Sequence, residues 1–148
     1  MGYSVVKILI VDDDAFLLRT VSRILSIEGY ECKCVSNAEE GMELLAAEHF
    51  DLLISDVLMP GVSGNELLRE VTRKFPDLSV IMMTGKDNKE TFARCLTDKG
   101  YGYLIKPFSS NQLIINVKNA LLVGKLRIEN NLLKKRLQDI SQLSDYSQ

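Results

Sequence analysis

Aspartate occurs three times in a row at Asp12-Asp13-Asp14 and again at Asp56, and further along stand Thr84-Gly85 and Lys106-Pro107. Two or three carboxylates brought together repel one another and need a cation. Oxygen donors with no His or Cys among them favour Mg2+ over zinc or copper. Such an ion keeps some of its waters and leaves room for a phosphoryl oxygen. A carboxylate beside it is a plausible nucleophile, because carboxylates form aspartyl-phosphates. Lys106 would neutralise phosphoryl charge as a point charge, and the Thr84 hydroxyl would hydrogen-bond a phosphoryl oxygen. This chemistry requires residues far apart in the chain to meet at one place.

The elements between them are of the kind that can bring this about. Apolar runs at 7–11, 31–35, 52–55, 79–84 and 102–105 alternate with helical patterns. The first, third and fourth are nearly continuous in Ile, Leu, Val and Met, as strands buried on both faces of a parallel sheet are. Glu31-Cys32-Lys33-Cys34-Val35 alternates instead, which suits an edge strand. Asp14 can cap a helix with Leu17, Leu18, Val21, Ile24 and Leu25 on one face, and Gly29 can stop it. Asn37 opens a second helix containing Met42, Leu44 and Leu45. Residues 64–75 read as a third helix, ended by Pro76, and 88–99 as a fourth, ended by Gly100. Ser109 and Gln112 form a capping box for the last. Strand–helix alternation of this kind predicts an α/β doubly wound fold with right-handed crossovers. In such sheets the functional crevice lies beyond the carboxyl ends of the strands, where these acids, Thr84 and Lys106 would stand.

The same residues carry a family resemblance. Four segments, Lys-Ile-Leu-Ile-Val-Asp12-Asp13-Asp14, Asp56-Val-Leu-Met-Pro60-Gly-Val-Ser-Gly64, Val-Ile-Met-Met-Thr84-Gly85 and Tyr103-Leu-Ile-Lys106-Pro107-Phe108, resemble the receiver domain of bacterial two-component response regulators. They lie in that family's order and spacing across about residues 5–122. The resemblance implies a flavodoxin-like five-stranded sheet of order 2-1-3-4-5 with helices on both faces. It implies that Asp56 accepts a phosphoryl group from a sensor histidine kinase or phosphotransfer protein. Asp12 and Asp13 would hold Mg2+ together with Asp56 and the backbone carbonyl of Leu58. Thr84 and Lys106 would bind the attached phosphoryl group, and movement of Thr84 would let Tyr103 rotate inward. That rotation would change the face built from the fourth helix, the fifth strand and the last helix. The family usually has a cis peptide at the position of Lys106-Pro107. Tyr101 stands where a small residue is common. Leu58 and Lys86 stand where side chains influence the hydrolytic water, and an apolar Leu58 cannot orient it, so a fairly long-lived phospho-aspartate is expected. Asp14 is expected to be a helix cap.

Composition closes off other classes. Among 148 residues, 18 basic and 20 acidic side chains give a net charge of −2, which offers no basic surface for nucleic acid or membrane. No apolar stretch approaches the roughly 20 residues of a membrane helix. The N-terminus meets Lys7 too early for a signal peptide. Three cysteines, an odd number, argue against a disulfide framework and suit a cytoplasmic protein. Cys32 and Cys34 share one face of a strand as packing residues. The single His49 has no acid–base partner nearby in sequence and reads as solvated or capping. A metal-dependent phosphatase built on Asp12 and Asp14 fails at Phe16 and leaves Asp56 idle. A Walker-type nucleotide loop is missing from the sequence. The remaining rival is an unphosphorylated protein-binding module on the same fold.

The last helical pattern runs on from 109 to 143, broken by no proline and containing one glycine, Gly124. Beyond it a heptad places Val123, Asn130 and Leu137 at one core position and Leu126, Leu133 and Ile140 at the other. The sequence therefore divides into a domain over 1–122 and a helical, coiled-coil extension over 123–148. Dimerisation through that extension is expected, the alternative being a helix folded back on its own domain. The unfinished coil suggests a piece of a longer protein, with a nucleotide-messenger enzyme or an ATPase activator of transcription as the output.

Overall fold

The computed structural model describes residues 4–56, 64–85 and 102–146. Strands β1 (Lys7–Val11), β2 (Glu31–Val35), β3 (Leu52–Asp56), β4 (Ser79–Thr84) and β5 (Gly102–Ile105) form one parallel sheet in the order β2-β1-β3-β4-β5. Helices α1 (Ala15–Ile27), α2 (Ala38–Ala47), α3 (Gly64–Lys74) and a long C-terminal helix (Ser110–Tyr146) flank it. The helix expected over 88–99 lies outside the described residues. Alternate strand residues feed two cores. Leu9, Val11, Leu53, Val80 and Met82 pack against α2 and α3. Ile8, Ile10, Ile54, Ile81 and Met83 pack against α1 and Leu113, Val117 and Ala120 of the C-terminal helix. Each fully buried Ile or Leu contributes about 1.5–3 kcal/mol, so this two-sided burial fixes the register of every central strand.

The punctuation acts as its chemistry demands. Asp14 Oδ1 accepts from the amides of Phe16 and Leu17 at 3.0 and 3.2 Å, which makes Asp14 the cap of α1. Gly29 follows that helix at φ 94°, a left-handed conformation that glycine adopts without strain. Asn37 Oδ1 accepts from Glu40 N at 2.8 Å. Ser109 and Gln112 exchange the two hydrogen bonds of a capping box, at 2.8 and 3.1 Å. Edge strand β2 does not alternate strictly in burial: Cys32 packs toward the α1 core, whereas Cys34, expected to pack on the same face, is exposed, its Sγ 3.8 Å from Leu18 O. Burial pushes the Cys32 thiol up to about 11, so it stays protonated and serves packing. His49 is solvated, but it does have a partner that the sequence reading missed: its Nε2 lies 3.1 Å from Asp51 Oδ1. Asp51 stands two residues away, and the turn into β3 brings its side chain back.

The C-terminal helix passes through Gly124 without interruption. Its backbone crosses the start of β4 so closely that a Cβ at Gly124 would collide with the Ser79 hydroxyl. One turn further, Arg127 Nη2 reaches the carbonyls of Asp77 and Leu78 at 3.4 and 3.5 Å. Residues 129–144 are exposed, Leu126, Leu133, Leu137 and Ile140 standing 55–66% accessible. The helix therefore does not fold back on its own domain. No described helix is long and apolar enough to cross a membrane.

Candidate functional site

Parallel pairing sends the carboxyl ends of β1, β3, β4 and β5 to the same edge, and the polar residues gather there. Asp12 follows β1 and its amide extends the ladder to Val35 O at 3.2 Å. Asp56 is the last residue of β3, opposite Met83. Thr84 ends β4, and Lys106 follows β5 with its amide donating to Thr84 O at 2.7 Å. The Lys106–Pro107 peptide is cis.

Asp12 and Asp56 are buried, whereas Asp13 beside them is exposed. A carboxylate taken out of water is costly unless paired and hydrogen-bonded. Both are paired with the same ammonium: Lys106 Nζ lies 2.8 Å from Asp12 Oδ2 and 3.2 Å from Asp56 Oδ2. The other oxygen of Asp12 accepts from the Asp14 amide at 2.8 Å. Burial pulls the Lys106 ammonium down, but the hydrogen bond and charge of Asp12, and then those of Asp56, outweigh it and hold its pKa above 10.5. Lys106 is therefore cationic across neutral pH.

One oxygen from each of Asp12, Asp13 and Asp56 falls within a 4.8 Å cluster. With all three ionised, the single ammonium leaves two negative charges, which a divalent ion would balance. The donors are hard oxygens, and Asp13 keeps one side open to water, so the set fits Mg2+. Thr84 is buried at the adjoining corner, its hydroxyl donating to Gly85 O at 3.2 Å. Tyr103 lies on β5 beside Met82, half-buried against the core shared with α2 and α3.

Sequence reasoning thus named residues that the fold brings together: Asp12, Asp13, Asp56 and Lys106 form one cluster, and Thr84 lies next to it. Leu58, Lys86 and Tyr101 fall outside the described residues. Two features escaped it. Lys106 bridges Asp12 as well as Asp56, and the Asp14 amide orients Asp12; no pattern in the chain signals either contact.

A doubly wound sheet with an acidic pocket and a bridging lysine at its carboxyl edge defines a receiver. The chain belongs to the response regulator receiver domain family, whose match spans residues 8–118. It is 32% identical over 133 residues to the nitrogen assimilation regulatory protein NtrX of Azorhizobium caulinodans, covering 88% of this chain and 29% of that protein. The crystal structure of NtrX from Brucella abortus superimposes with a TM-score of 0.81 at 31% identity, over 90% of this chain and 30% of that one. A receiver domain protein from Clostridium thermocellum matches with a TM-score of 0.76 at 31% identity, over 82% of this chain and 98% of its own. The chain thus spans about three-tenths of the length of the NtrX proteins and nearly all of the Clostridium thermocellum receiver domain chain.

Proposed function

We propose that Asp56 is the phosphoryl acceptor of a two-component switch, and that the observation carrying this reading is Lys106 held across Asp12 and Asp56. In the transfer an Asp56 carboxylate oxygen attacks the phosphorus of a phosphohistidine on a sensor kinase or phosphotransfer protein. The P–N bond breaks, its electron pair returns to the imidazole, and an acyl phosphate forms on Asp56. Asp12, Asp13 and Asp56, with the carbonyl of Leu58, would hold Mg2+. Bound there, the ion supplies positive charge to the transferring phosphoryl oxygens. Lys106 keeps its proton throughout and shifts its pairing toward the new phosphoryl charge. Thr84 donates its hydroxyl to a phosphoryl oxygen in exchange for Gly85 O, and Tyr103 rotates inward to remodel the face around β5.

The domain would occupy residues 1–122, and 123–148 would be a helical extension through which two copies associate in the cytoplasm. The first turn of that extension still rests on the body through Gly124 and Arg127. The chain would run no catalysis beyond taking phosphate from a donor and losing it to water. The test is incubation with acetyl phosphate, with and without Mg2+, followed by intact-mass measurement. One phosphoryl adduct that requires Mg2+ is expected. No adduct, together with no binding of beryllofluoride, would support the unphosphorylated protein-binding module instead.

A further inference from the structure

The C-terminal helix leaves its body with one face open, and its charges are arranged for one orientation of a partner. Leu113, Val117 and Ala120 are buried, and Gly124 and Arg127 touch the body, so the body occupies one flank of the helix. In the heptad with Val123, Asn130 and Leu137 at a, and Leu126, Leu133 and Ile140 at d, these contacts fall at positions b and e. The a/d stripe is left uncovered, with Leu133 and Leu137 56% and 66% exposed.

We infer that a second copy of this chain covers that stripe as a parallel, in-register helix pair, fixed by Asn130 against Asn130 and by Glu129 against Lys134 of the second copy. This rests on the dimer proposed above and adds its orientation. In a parallel pair each g residue faces the e residue about five positions later on the partner helix. Glu129 is at g and Lys134 at e, and both are exposed. The two-fold axis therefore produces the Glu129–Lys134 pair twice. The next g–e pair is Arg136 with Ser141, so no like charges meet. Asn130 meets its own copy at an a layer, where its amide can be satisfied by the same amide across the axis. An antiparallel pair instead sets e against e and g against g. Layering Asn130 on Leu133 then leaves the asparagine without an amide partner, and the attraction of Glu129 for Arg136 is offset by the like-charge contact of Arg127 with Lys134. The nearest other antiparallel stagger brings Lys134 against Lys134 and Arg136 against Arg136. In the parallel arrangement the two bodies lie side by side at the start of the coil, where Gly124 and Arg127 seat each helix on its own β4 edge.

The test uses charge reversal on the full chain at two exposed positions, where folding of the body is unaffected. Glu129→Lys and Lys134→Glu should each weaken self-association about tenfold by sedimentation equilibrium. The double variant should recover wild-type association. Mixing the two single variants should yield mainly the mixed dimer, because every facing pair in it is then complementary. A wild-type dimer that ignores both reversals and shows no preference on mixing would overturn the parallel register while leaving the dimer intact. A monomeric wild type would overturn the dimer reading itself.

Discussion

Lysine–carboxylate bridges stand at both ends of the sheet, with the same geometry and different surroundings. At the carboxyl edge, one lysine joins two acids, Lys106 Nζ lying 2.8 and 3.2 Å from Asp12 and Asp56. At the amino edge, one acid joins two lysines, Glu48 Oε1 lying 2.7 and 2.8 Å from Lys7 and Lys33. Distance does not separate them; water does. The Asp12 side chain is 1% accessible and that of Glu48 is 26%. Exposed bridges are screened and contribute little, whereas a buried carboxylate that loses its partner is left with its desolvation cost. The carboxyl edge also carries an excess of acid, which suits it to a cation. At the amino edge the lysines exceed the acid they share, and the arrangement is a surface clasp.

That contrast can be broken most sharply at Lys106. Lys106→Met removes the ammonium from two buried acids and should cost about 2 kcal/mol by urea unfolding, a value reduced for the lysine's partial exposure. Added Mg2+ should restore part of it. Because Lys106 is held above 10.5, its contribution is complete below that ordinary value and is lost as pH rises through the folded one. The deficit should therefore be constant across neutral pH and shrink only in strong alkali. A variant as stable as wild type would mean that the buried acids do not depend on this ammonium.

Gly124→Ala comes next in size. Alanine favours the helix by about 1 kcal/mol, but its methyl meets the Ser79 hydroxyl, and overpacking costs about 1–3 kcal/mol. A net loss of about 1 kcal/mol is expected, reversed when Ser79→Ala removes the hydroxyl. Stabilisation by Gly124→Ala alone would show that the Ser79 hydroxyl turns aside to admit the methyl.

Glu48→Gln should matter least, moving the midpoint of thermal unfolding by about 2 °C or less. Hydrogen bonds from Lys33 and Lys7 hold the Glu48 carboxyl below 4.5. Its contribution is present above that ordinary value and lost as pH falls through the folded one, so the difference from wild type should vanish in acid. An effect as large as that of Lys106→Met would erase the distinction between the two ends.

Much of this was legible in the chain because it is local. Apolar runs gave the five strands, and Asp14, Asn37 and Ser109 announced their helices through side-chain bonds to nearby amides. The convergence of Asp12, Asp56, Thr84 and Lys106 followed from parallel pairing, which sends strand ends to one edge. What stayed hidden depends on contacts between distant segments. Gly124 read as a lone glycine in a helix, and only the crossing over Ser79 gives it a purpose. His49 lacked an apparent partner because the link to Asp51 depends on how the chain turns into β3. Periodicity showed that the C-terminal helix has an apolar stripe but not whether its own domain covers it.

The central claim is that the buried, lysine-bridged Asp56 is where phosphate goes. The most direct measurement is site mapping: phosphorylate with acetyl phosphate and Mg2+, reduce the acyl phosphate with borohydride, and sequence the resulting peptides by mass spectrometry. The account predicts homoserine at position 56 alone, absent when Mg2+ is withheld and absent in Asp56→Asn. Homoserine at position 12 or 13, with Asp56 untouched, would contradict it.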